Sequence, residues 1–117
     1  MKIVTIGDLR VLAVGASGTE LGSERSAIDL IGETYGQEID VIAIPLERLT
    51  PMFLSLKTGV AGHFLQKFIN YGFRVAIIGE IPADALASKA LRDFVTESNR
   101  AKQVRFAATL EALKDPT

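Results

Sequence analysis

No cysteine occurs among the 117 residues, which excludes disulfides, thiolate nucleophiles and thiolate metal sites together and fits a reducing compartment. Histidine is represented once, by His63, so no His/Cys cluster with metal-ligand spacing exists. No G-x-S-x-G elbow accompanies it, and neither catalysis through His63 nor a cofactor is expected. Tryptophan is absent, and six Phe and two Tyr stand mostly at core-like positions with no basic stripe between them, which argues against nucleic acid. An excess of one charge is lacking as well. Thirteen basic and 14 acidic side chains leave a net charge of −1, so no global field draws in a polyanion or an anionic membrane. No run approaches the roughly 18 apolar residues of a membrane span, and Met1 to Asp8 holds too short an apolar stretch for a signal-peptide core. The expectation is a cytoplasmic protein, neither secreted nor inserted in a membrane.

What is present is a core. Apolar residues make up 48% of the chain, ample for a single domain over 1–117. Residues 2–6 and 9–15 are rich in Ile, Val and Leu and are separated by Gly7-Asp8, a pair suited to a tight hairpin turn. Gly15 to Thr19 reads as a flexible connection; its glycines lack the G-x-G-x-x-G spacing, and Glu20 and Glu24 would repel phosphate. Ser23 is the expected N-cap of a helix with Ala27, Ile28, Leu30, Ile31 and Tyr35 on its buried stripe. Ile39 to Ile44 and Phe73 to Ile78 are nearly continuous apolar runs, the pattern of strands covered on both faces. Between them a helix is expected over 51–71, with Thr50 as N-cap and Pro51 at the first helical position. A further helix follows Pro82 to about residue 97 with Asn99 as its stop. A strand over 103–107, a last helix from Thr109 and a frayed tail, Lys114 to Thr117, complete the order ββαβαβαβα. That order specifies an α/β fold with a mixed sheet of about five strands and about four helices.

Two stretches, Leu56-Lys57-Thr58-Gly59-Val60-Ala61-Gly62 continuing through Leu65 to Phe68, and Ser88 to Phe94 with Glu97-Ser98-Asn99-Arg100, resemble the domain of unknown function 4180 family, over nearly the whole chain. The element order also resembles the STAS, or anti-anti-sigma factor, domains. In those domains a Ser or Thr at the start of the helix after the third strand is phosphorylated to switch partner binding. Here that place reads Thr50-Pro51-Met52-Phe53 instead of an Asp-Ser-Ser-Gly-like sequence, so what the resemblance implies is a STAS-like fold working as a protein-interaction module.

Wound as one helix, residues 53–70 place Lys57 near the middle of a broad apolar face. Since open α/β sheets bind ligands at their carboxyl edge, Lys57 and Thr58 either reach into a crevice there and meet an anion, or Lys57 snorkels over the core with its charge in water. Ser55, Gly59 and Gly62 fall on the opposite face, where each glycine costs about 1 kcal/mol relative to alanine; this face is either a docking surface or ordinary packing within the monomer. Thr50, Ser55 and Thr58 are candidate phosphorylation positions, since a helix N-terminus favours phosphate. Lys89, Asp93, Glu97 and Arg100 form one charged line with Arg92 beside it. That line is either a solvated face of weak ion pairs or, at Glu97, Asn99 and Arg100, a hydrogen-bonded corner. The leading expectation is a non-catalytic STAS-like interaction module binding a protein partner or a second copy. The alternative is a binding protein for a small anion or phosphoryl compound, or a simple enzyme, with its site near Lys57.

Overall fold

The computed structural model describes residues 1–114; Asp115 to Thr117, expected as part of a tail, lie outside the described residues. The chain opens as the hairpin that Gly7-Asp8 demands. β1 (Lys2–Ile6) runs antiparallel to β2 (Leu9–Ala13), with Ile6 opposite Leu9 across the two-residue turn and Gly7 at φ 59°. From β2 onward every pairing is parallel: β3 (Val41–Pro45), β4 (Arg74–Ile78) and β5 (Val104–Ala107) follow in sequence order, giving one mixed five-stranded sheet β1-β2-β3-β4-β5. The α-helices are α1 (Glu24–Gly32), α2 (Val60–Asn70) and α3 (Lys89–Ala101).

Consecutive parallel strands joined by right-handed crossovers put every crossover helix on one side of the sheet, and the packing follows. Leu12, Ile42, Ile44, Val75, Ile77 and Val104 share a core with Ala27 and Leu30 of α1 and with Ala61, Phe64, Leu65 and Phe68 of α2, while Phe94 of α3 packs at its margin. The alternate residues, Val11, Val41, Ala43 and Ala76, form a second, smaller cluster on the opposite face. There the cover is the 3-10 segment Leu110–Lys114, through Leu110 and Leu113. The apolar runs of β3 and β4 are thus covered on both faces, by unequal amounts of protein.

Several local expectations change. Ser23 does cap α1, its hydroxyl accepting from the Ser26 amide, but that helix ends at Gly32, so Tyr35 lies beyond it, 92% exposed, and Ile28 faces outward. The single helix expected over 51–71 is instead two 3-10 turns, Pro51–Leu54 and Leu56–Thr58, followed by α2. The chain leaves helical geometry at Ser55 (φ −97°, ψ 89°) and enters the left-handed region at Gly59 (φ 78°). α3 runs through Asn99 and ends at Lys102, which takes the left-handed conformation itself (φ 68°). The last element among the described residues is a 3-10 helix, so the α-helices there number three where about four were expected.

Candidate functional site

The carboxyl edge of β3 and β4 carries most of the residues singled out near Lys57. β3 ends at Pro45, and the chain turns through a 3-10 helix, Leu46–Arg48, before pairing Leu49 with Leu21 in an isolated parallel bridge. The Thr50 amide donates to the Leu21 carbonyl at 2.8 Å, and the Thr50 carbonyl accepts from the Phe53 amide at 2.9 Å. Phe53 is fully buried and stands edge-on to Phe64 of α2, centroids 6.1 Å apart, which anchors the turn Pro51–Leu54 to the core.

Thr58 explains why this stretch is not a helix. Ser and Thr side chains compete for backbone groups that a helix would otherwise use. The Thr58 hydroxyl lies 2.8 Å from the Ser55 carbonyl and 3.2 Å from the Met52 carbonyl as donor, and accepts from the Val60 amide at 3.3 Å. It thereby staples both 3-10 turns to the start of α2. Gly59 supplies the left-handed residue between them, where a Cβ would also come within 3.4 Å of the His63 ring.

The result is a trough. One part, about 400 Å³, is lined by Leu46, Leu49, Thr50, Ile78 and Gly79 with Glu47 and Glu80 at its rim. It shares Pro51 and Leu54 with a second, about 540 Å³, lined by Ser55, Leu56, Lys57, Asp84 and Ser88. Lys57 therefore does not sit in the middle of an apolar helix face; it is exposed on a 3-10 turn and borders a concave surface opposite the start of α3. Thr50, Ser55 and Lys57 meet at this trough, whereas Thr58 is occupied by its own backbone bonds.

The remaining candidates lie elsewhere. Gly62 is exposed, with open space where a Cβ would stand, and borders a groove of about 300 Å³ between α2 and α3 that also includes Glu97. It is not on a common face with Ser55 and Gly59, since no common helix exists. Arg92 caps the 3-10 turn before α3 by donating to the carbonyls of Leu86 and Ala87. Glu97 pairs with Arg100 at 2.8 Å and Lys89 with Asp93 at 2.7 Å, all four exposed. Asn99 does not join that corner. Its Oδ1 accepts from the Phe106 amide at 2.7 Å and its Nδ2 donates to the Phe106 carbonyl at 3.4 Å, so it closes the outer edge of β5 as a neighbouring strand would.

Arg48 is the residue that sequence reasoning missed at this end. Its guanidinium donates to the carbonyls of Gly15, Ser17 and Thr19 at 2.9 to 3.2 Å, holding the loop after β2 that was expected to be a flexible connection. Gly18 is required by that clasp, because a Cβ there would stand 2.7 Å from Arg48 Nη2. No spacing rule links an arginine after β3 to carbonyls some thirty residues earlier. Among the described residues, no three His, Asp or Glu side chains are grouped so as to hold a metal ion, and no helix is long and apolar enough to cross a membrane.

Comparison with curated proteins and with solved structures found no match. The family model described as "Domain of unknown function (DUF4180)" matches residues 6–116, nearly the entire chain, and the protein belongs to that family.

Proposed function

We propose that this chain is a non-catalytic, STAS-like interaction and regulatory module of the cytoplasm that receives a segment of a partner protein in the carboxyl-edge trough. The observation that carries the reading is the trough itself. Its floor is apolar through Leu46, Leu49, Pro51 and Leu54, and its rim mixes Lys57 with Glu47, Glu80 and Asp84. Met52, in the turn that forms its wall, is 55% exposed. An apolar centre with a polar rim is the anatomy of a protein-recognition surface. The test is affinity capture from the host with the wild-type chain and with Met52→Glu. A stoichiometric partner retained by the first and lost by the second supports the reading; a strictly monomeric protein that captures no stoichiometric partner ends it.

A second reading, a small anion or phosphoryl compound at Lys57, is favoured by the position of Lys57 beside Ser88 and the N-terminal end of α3. Titration with inorganic phosphate, read as a thermal shift that Lys57→Gln abolishes, would support it. An unchanged melting temperature would count against it.

A further inference from the structure

The two outer strands of the sheet end differently. At β5 the free edge is closed by the Asn99 side chain, which bonds both the amide and the carbonyl of Phe106. At β1 the edge is open. Ile6 and Leu9 flank the two-residue turn and so form a hydrogen-bonded pair, and along an antiparallel ladder such pairs alternate with pairs whose backbone groups point outward. Thr5, opposite Arg10, and Ile3, opposite Leu12, are therefore the outward-pointing residues of β1. The far side of β2 has the same phase, because the Arg10 carbonyl accepts from the Asp40 amide at 2.8 Å. The N–H and carbonyl groups of Ile3 and Thr5 thus face away from the sheet, and among the described residues none of them has a partner. Nor is the edge blunted in the ways that keep exposed strands apart. β1 pairs with β2 at every position without a bulge, contains no proline, and carries one charge, Lys2, at its start.

Ile3 and Thr5 are placed symmetrically about Val4. A second β1 laid antiparallel with Val4 opposite Val4 pairs Ile3 with Thr5 twice, so one two-fold axis satisfies all the outward backbone groups. The side chains agree with that register. Val4 meets Val4 at the closer, non-hydrogen-bonded spacing, and Ile3 stands beside Thr5. Lys2 falls opposite Ile6, at the end where the partner's turn carries Asp8. Lys2 and Asp8 are both exposed and take part in none of the ion pairs of the described residues.

We propose that the β1 edge is a homodimerisation surface, joining β1 to β1 of a second copy about a two-fold axis at Val4 and making one continuous sheet from two five-stranded ones. The occupant is a second copy because the strand complements itself in both its backbone groups and its charges. The contact is short, so the dimer is reversible and of modest affinity. It uses no residue of the trough.

Sedimentation equilibrium and amide exchange test it. The chain should pass from monomer to dimer as its concentration rises to about 1 mM, and the Ile3 and Thr5 amides should become protected over the same range while those from Thr50 to Lys57 do not change. Thr5→Pro removes an outward N–H that the hairpin does not use and should weaken the dimer by at least about tenfold, since the two-fold axis doubles the loss. Lys2→Glu, at an exposed position, should weaken it by about threefold, and adding Asp8→Lys should restore it, which a merely destabilised fold would not do. Met52→Glu should leave the dimer intact, so a failure here is distinguishable from a failure of the trough reading. A chain still monomeric at about 1 mM, association that leaves Ile3 and Thr5 unprotected, or undiminished affinity in either variant that folds would overturn the proposal. If Thr5→Pro does not fold, the charge exchange decides, and failure of Asp8→Lys to restore the affinity overturns it as well.

Discussion

The two faces of the sheet are built differently. One is covered by α1, α2 and α3 and holds the large side chains Phe53, Phe64 and Phe68, each 1% exposed or less. The other relies on valines, alanines and a five-residue 3-10 segment. Burial of apolar area stabilises in rough proportion to the area removed from water, so the helical face should supply most of the stability. The thinly covered face leaves room for a cavity of about 410 Å³ toward the amino ends of β3 and β4.

That contrast can be broken by truncation on each side. Phe64→Ala removes a ring that meets both Phe53 and Phe68 edge-on and should cost about 3–5 kcal/mol in urea denaturation. Leu113→Ala should cost about 2 kcal/mol, the low end of its class, because the 3-10 segment is exposed on its far side and can settle into the space. Equal losses would show that thin cover does not mean a weak face. At the sheet's outer margin, Asn99→Ala should cost about 1–3 kcal/mol by leaving the Phe106 amide and carbonyl without their partner. It should also produce concentration-dependent association in sedimentation, since an opened strand edge invites pairing. Gly59→Ala, placing a Cβ at φ 78°, should cost about 1–2 kcal/mol and loosen the trough, seen as faster amide exchange from Met52 to Val60. The smallest change is expected for Glu97→Gln, whose partner Arg100 is as exposed as itself, at under about 0.5 kcal/mol by thermal melt.

The two ends of the sheet were unequally legible in the sequence. The carboxyl edge was expected to carry the site, because it is where a chain leaving β3 must turn, and Thr50, Ser55 and Lys57 do border a concave surface there. The helix drawn through it was wrong because periodicity over 53–70 takes no account of side chains that bond to the backbone, as Thr58 does, or of a glycine at positive φ. The cavity at the other end, with Asp8 and four cations in its lining, went unread, since Arg74, Arg105 and Lys114 belong to three different elements and Lys102 to the turn after α3, and no short window along the chain contains them together.

Local chemistry alone determined the hairpin at Gly7-Asp8, the buried strands β3 and β4, the short strand β5, the Ser23 cap and the α/β order, because each rests on neighbours within a few residues. Only the tertiary structure decided that all three α-helices share one face, that Arg48 clasps the loop after β2, that Asn99 seals β5 and that four cations and Asp8 line one cavity. These depend on strand register and on contacts between residues far apart in the chain, and a period read along one element carries no record of its neighbours across the sheet.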